Sequence, residues 1–190
     1  MKKTLRVAMA TTALACSAAA WAQTPTKLLP AQSEIAFVSK QMGVPVEGVF
    51  KKFDAQISLD PKKPEAGQVA FTIDTGSASL GIPQTDAELP KPEWFNTPKF
   101  PQATFQSSAV KGLGGGRFEV SGKLSIKGNV RDVLVPVSVV QSAGTSVASG
   151  AFTIKRLEFR IGEGDWGDTS IVANDVQVRF KLTLTGLGPL

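Results

Sequence analysis

From about residue 33 onward, apolar and polar residues alternate with a period of two, and this alternation constrains the fold more than any other feature of the chain. The last run is the clearest. Val176, Val178, Phe180, Leu182 and Leu184 fall on one face, against Gln177, Arg179, Lys181, Thr183 and Thr185 on the other. Successive side chains of a strand point to opposite faces, so a run of this kind is a strand with one buried side. Ile35 and Phe37 share a face, as do Val49, Phe53, Ala55, Ile57 and Leu59, and then Val69, Phe71 and Ile73. Phe118, Val120, Leu124 and Ile126 alternate with Glu119, Ser121, Lys123 and Ser125, and Val133, Val135, Val137 and Val139 follow the Gly128-Asn129 turn.

Turn residues separate the runs at Pro61 to Gly67, Gly112 to Gly116, Gly128-Asn129, Ser142 to Ser146 and Gly162 to Gly167. Gln84 to Lys99 breaks the rhythm with Pro and aromatic residues. It reads as one long irregular connection, with a short helix near Asp86 to Leu89 and a turn around Pro92 to Asn96. Long excursions in β proteins are commonly lids or functional loops. Many antiparallel strands with one apolar face each make the chain all-β, a barrel or a sandwich. Strand length favours the barrel. The pattern from Ile171 to Thr185 would span roughly 50 Å at ~3.4 Å per residue, which suits a tall, extended barrel able to hold an elongated cavity.

The N-terminus sets the compartment. Met1-Lys2-Lys3 and Arg6 precede an Ala-rich uncharged run from Val7 to Ala20, which ends in Ala20-Trp21-Ala22. That is the layout of a secretory signal peptide over residues 1–22, cleaved before Gln23. The run is shorter and less apolar than the ~20 strongly apolar residues of a membrane span, so no stable membrane insertion is expected. Cys16 is a weak lipidation candidate, because Ala13 stands where a bulky aliphatic residue is normally found. Residues 23–190 then form one domain without cysteine, held by its core alone.

Removal of the leader also reduces the charge. The whole chain carries 21 Lys and Arg against 16 Asp and Glu. Three of those cations, Lys2, Lys3 and Arg6, lie in the leader, so the mature chain is close to neutral and offers no nucleic-acid groove. The chain has no His, which removes the usual general base, the commonest metal ligand and the Ser-His triad. Without a mature Cys there is no thiolate chemistry. Asp165, Asp168 and Asp175 lack calcium-loop spacing and read as a solvated turn followed by a strand start. Gly112, Gly114, Gly115 and Gly116 precede a strand rather than a helix N-terminus, so they make a hairpin and not a phosphate cradle. No metal, cofactor or catalytic set is expected.

Several segments, in this order and spacing, resemble the YceI-like family of lipid- and polyisoprenoid-binding proteins. Ser33-Glu34-Ile35-Ala36-Phe37 resembles the family's opening strand, and Gly48-Val49-Phe50-Lys51-Lys52-Phe53 its G-x-F-x-x-F segment. The stretch from Trp94 to Ser107, with Lys99-Phe100-Pro101 and Ala103-Thr104-Phe105-Gln106-Ser107, is similar to its aromatic, K-[YF]-P and A-x-F-x-S region. Val120 to Gly128 is similar to its V-x-G-x-L-x-[IL]-x-G hairpin. The similarity runs from about Leu29 to Leu187. It implies an extended, lipocalin-like antiparallel β-barrel, periplasmic in Gram-negative relatives, with a long-chain lipid or isoprenoid threaded through its interior. Relatives often carry His before the Met42-Gly43 equivalent; this chain has Gln41 there, so no role of that His transfers.

Eleven Phe and no Tyr suit an interior that does not hydrogen-bond a polar substrate. Phe37, Phe53, Phe71, Phe105, Phe152 and Phe180 fall on the apolar faces, and with the resemblance they are expected to line the ligand site together with Ile73, Leu124 and Val178. Trp94 and Phe95, in the irregular connection, are expected to cover the cavity or its entrance. Lys51 shares parity with Val49 and Phe53, and Arg156 with Phe152 and Ile154, so each is a candidate cation for a phosphate or carboxylate head group. A β-bulge that turns the charge outward is the alternative for both, supported at Arg156 by the shift of apolar phase to Leu157, Phe159 and Ile161. A buried structural pair with a carboxylate is the other. The expected function is binding of a long apolar amphiphile, and the chain is not expected to be an enzyme. A filled barrel acting through its surface is the competing reading. Nothing in the sequence sets the oligomeric state.

Overall fold

The computed structural model describes residues 26–190; the expected leader, Cys16 and the cleavage point before Gln23 lie outside the described residues. Eleven strands run through it: β1 (Lys27–Leu28), β2 (Glu34–Gln41), β3 (Val44–Phe50), β4 (Phe53–Ser58), β5 (Gln68–Asp74), β6 (Ala78–Ser79), β7 (Gln102–Gly114), β8 (Arg117–Ile126), β9 (Asn129–Ser142), β10 (Thr145–Lys155) and β11 (Asp175–Thr185). They form one antiparallel sheet in the order β4-β5-β7-β8-β9-β10-β11-β2-β3-β6. The sheet curls into a lipocalin-like barrel. Its edge β4 is tied back by the chain's first described residues, because Thr26 bridges Ile57 while Lys27 and Leu28 pair with Thr185 and Leu184 of β11.

Each hairpin is set by its turn. Between β8 and β9, Lys127 and Gly128 both take positive φ, 50° and 76°, the geometry of a two-residue hairpin whose twist matches the strands. Asn129 opens β9 rather than sitting in the turn, so the reversal comes one position earlier than the sequence pattern places it. With register so fixed, Phe118, Val120, Leu124 and Ile126 face Val137, Val135 and their neighbours across one buried surface.

Two lengths differ from expectation. The last strand has 11 residues, not fifteen, since Val172 makes only an isolated bridge with Gln41 and regular pairing begins at Asp175. The longest strand is β9, with 14 residues. The short helix α1 (Pro83–Asp86) also comes three residues earlier than expected. Pro83, which needs no N–H partner in a first turn, starts it.

The connections gather at two ends. One end carries the 42–43 turn, the irregular connection from Leu80 to Pro101, the 127–128 turn and the 156–174 segment. That end is bound together by hydrogen bonds. Gly162 N–H and Glu163 N–H both donate to Glu93 O, and buried Lys127 reaches Arg160 O at 2.5 Å and Glu163 at 3.0 Å.

Candidate ligand-binding site

Inward side chains of β2, β3, β4, β5 and β7 to β11 surround an apolar cavity of about 280 Å³. Its lining runs along β11 from Val176 to Leu184, about 27 Å at ~3.4 Å per residue, so the space is elongated. The volume lies near the lower end of ordinary ligand pockets, ~300–1,000 Å³.

Three inward Phe rings lie close over strand glycines, and rings held against the wall leave the middle of the barrel open. Phe37 on β2 is directly opposite Gly48 on β3, and Phe180 on β11 directly opposite Gly150 on β10. Phe105, which pairs with Leu124, reaches diagonally over Gly122, the partner of Ser107. A Cβ at Gly150 would sit 2.6 Å from Phe180 Cζ, and one at Gly122 2.5 Å from Phe105 Cζ, so only glycine admits these rings against the wall. Phe37 also packs on Phe50 at 5.3 Å between ring centroids, and Phe50 on Phe95 at 5.8 Å, carrying the aromatic wall into the irregular connection.

Of the residues singled out from sequence, Phe37, Phe71, Ile73, Trp94, Phe95 and Phe105 line this cavity, as do Leu124, Phe152, Val178 and Phe180. Phe53 does not. It pairs with Ile73 and packs against the core cluster, without reaching the cavity surface. Phe50, Leu80, Ile161 and Trp166 line the cavity without having been singled out. Phe50 was hidden by a parity change: β3 ends there, and Lys51-Lys52 bends the chain before β4 restarts the alternation at Phe53. On β3 the inward residues are therefore Val46, Gly48 and Phe50, and Val49 points the other way.

The same break corrects Lys51. It is exposed and its N–H donates to Ser77 O outside the strands, so it offers no charge to the cavity. Its field falls on Asp86, whose carboxyl is held below its ordinary pKa mainly by hydrogen bonds from Ser79 and the Leu80 N–H, with Lys51 the smallest contribution.

Arg156 does reach the cavity wall and is only 2% exposed, but it is not available to a head group. Nε donates to Ala173 O at 3.1 Å, Nη1 to Ile161 O and Gly162 O at 2.8 and 2.7 Å, and Nη2 to Trp166 O and Val172 O at 2.6 and 2.7 Å. A guanidinium has five N–H donors, and all five are taken by carbonyls. Neither a bulge nor a carboxylate pair explains the residue. The strand ends at Lys155, and Arg156–Phe159 is a 3-10 turn closed by Arg160 in the left-handed region, which is why the apolar phase shifts. Burial, uncompensated by any carboxylate, lowers the pKa of Arg156 from its ordinary value.

The polar residues of the lining are few: Ser39, Gln41, Thr85, Glu88 and Arg156. Ser39 Oγ and the Trp94 indole N–H are buried and have no hydrogen-bond partner among the described residues. Orphaned buried groups cost ~1–3 kcal/mol each, so such groups are uncommon in a finished core. Trp166 both lines the cavity and is 38% exposed, and its ring packs against Trp94 at 5.5 Å with the planes tilted by 47°, so the cavity meets the surface here. Asp168 and Asp175, by contrast, are engaged elsewhere: Asp168 caps Ser170, and Asp175 pairs with Lys155 at 2.7 Å.

Residues 27–184 match the family model of the YceI-like domain. The chain belongs to the YceI-like family. Among curated relatives, the UPF0312 protein of Azotobacter vinelandii is 34% identical over 88 residues, 46% of each chain. Protein YceI of Salmonella arizonae is 36% identical over 93 residues, 49% of this chain and 48% of that one. These alignments thus span about half the length of the curated relatives. Among solved structures, Burkholderia cenocepacia BcnA is 45% identical, with a TM-score of 0.80 over 83% of this chain and 99% of that one. A polyisoprenoid binding domain from Saccharophagus degradans, implicated in plant cell wall breakdown, shares the fold at a TM-score of 0.70 with 21% identity, over 85% of this chain and 98% of that one.

Proposed function

We propose that this YceI-like protein binds a long-chain apolar amphiphile, an isoprenoid or similar lipid, in the barrel interior and sequesters or carries it outside the cytoplasm. The elongated apolar cavity is the observation that carries this reading, because its walls offer a chain contact along its whole length. Burying a methylene is worth ~0.8 kcal/mol, so ten of them supply about 8 kcal/mol before the costs of association, with no polar contact needed. The fold shared with a polyisoprenoid binding domain supports the same chemistry. Export is part of the proposal, with the leader cleaved before Gln23.

Binding rather than catalysis is also part of it. Among the described residues, Glu88 is the one carboxylate of the lining; it is ion-paired with Lys91 at 2.6 Å and has no second carboxylate beside it in the wall. A filled barrel acting through its surface is disfavoured by the cavity itself. Titration of delipidated protein with a polyprenyl chain tests the reading, followed by Trp94 emission in a Trp166→Phe variant. The emission should shift and saturate. No shift at saturating chain, together with no retained chain by mass spectrometry, would reject it.

A further inference from the structure

The cavity wall is apolar except at one end, where two polar atoms stand without partners. Ser39 Oγ and the Trp94 indole N–H belong to that end. Ser39 lies two residues before Gln41, whose backbone bridges Val172; Arg156 donates to Val172 O and to Gly162 O; and Gly162 sits against the Trp94 ring. An indole N–H can only donate, and a hydroxyl can donate or accept. Together they ask for an oxygen that accepts. The count of free donors at the same end argues against an anion. The cation of the lining, Arg156, has every donor committed to a carbonyl, and Lys91 nearby is taken up by the Glu88 carboxylate. A phosphate here would bury its several acceptor oxygens against only two free donors, since Arg156 has no N–H left to offer.

We infer that Ser39 and Trp94 form a head-group subsite selective for a neutral oxygen acceptor, such as an alcohol or carbonyl, over a phosphorylated head. The inference rests on the lipid-binding reading and adds the chemistry of the ligand's polar end. A ligand oxygen engages the two groups through rotation of Ser39 about χ1 and a slight shift of the indole, which sits on the irregular connection rather than on a strand.

The test uses three ligands with one C20 isoprenoid chain: the alcohol, its phosphate monoester and the corresponding hydrocarbon. Each is titrated calorimetrically into delipidated wild type, Trp94→Phe and Ser39→Ala, with folding checked by circular dichroism. Wild type should bind the alcohol more tightly than the hydrocarbon, and the phosphate at least tenfold more weakly than the alcohol. Each substitution should weaken the alcohol about fivefold, the worth of one hydrogen bond, and leave the hydrocarbon within twofold. Equal losses for alcohol and hydrocarbon in both variants would show that these residues only pack, and would overturn the inference. So would a phosphate that binds wild type as tightly as the alcohol. Wild type that binds the three alike overturns the inference alone, whereas wild type that binds none overturns the lipid-binding reading as well.

Discussion

Gly48→Ala probes the device that keeps the barrel open. Its Cβ would stand 2.8 Å from Leu80 Cδ2 and 2.8 Å from Phe37 Cε2, and closer still to Phe37 Cζ, with no backbone atom among these neighbours. The Phe37 ring must therefore lift off the wall. Phe50 packs on it at 5.3 Å, so the free direction is into the cavity. In stability the change combines a gain of ~0.5–1 kcal/mol for replacing a strand glycine with ~1–3 kcal/mol of overpacking, a net loss of about 1 kcal/mol. In affinity a lifted ring takes the space of two or three methylenes, about 2 kcal/mol or roughly thirtyfold. The assay is displacement of a fluorescent polyene chain, with thermal unfolding in parallel. A Gly48→Ala/Phe37→Leu double variant should recover most of the affinity, because leucine clears the new methyl. If Gly48→Ala binds like wild type, or loses as much in the Phe37→Leu background as in wild type, the ring does not act through this glycine and the reasoning fails.

Three further outcomes are expected. Arg156→Lys replaces five donors with three, so at least two carbonyls lose their partner; at ~1–3 kcal/mol each this costs about 3 kcal/mol, and hydrogen exchange of residues 156–174 should accelerate, whereas unchanged exchange would contradict the clamp. The Glu163 carboxyl is held below its ordinary pKa chiefly by the hydrogen bond from Arg160, with Lys127 adding to it. A depressed acid stabilises the fold above its ordinary range and loses that contribution as pH falls through the lowered value. The gap in unfolding midpoint between wild type and Glu163→Gln should therefore be widest near neutrality and close in acid; a gap that does not change with pH would contradict this. Phe180→Ala should reduce retained lipid per folded protein, while Arg179→Ala, exposed beside Glu47, should keep wild-type lipid and lie within ~0.5 kcal/mol in stability. Equal lipid in both would place Phe180 away from the ligand.

The strands and their inward aromatic residues were legible because a half-buried strand writes its burial directly into alternate positions. Phe71, Phe105, Phe152 and Phe180 needed nothing more. Legibility failed where the chain leaves the sheet. Parity carried across Lys51-Lys52 put Val49 on the wrong face, hid Phe50 and turned Lys51 inward. At Arg156 the phase shift was visible, but a strand end and a bulge leave the same trace in one sequence. Its five carbonyl partners come from residues 161–173, which no local pattern could supply. Ser39 and Gln41 continue the inward parity of Ile35 and Phe37, and their polarity disguised them as the end of the apolar face. Trp166 sat among the turn glycines, with no periodicity to place it.

The central claim is that the barrel holds a long apolar chain, and the most direct measurement is native mass spectrometry of the protein purified from its own host, followed by extraction of whatever it carries. A noncovalent long-chain lipid at one per protein, displaced in the Phe180→Ala variant, is the predicted result. Protein that carries no lipid, and takes none up after exposure to polyprenyl or acyl chains, would contradict the account and leave a barrel that works through its surface.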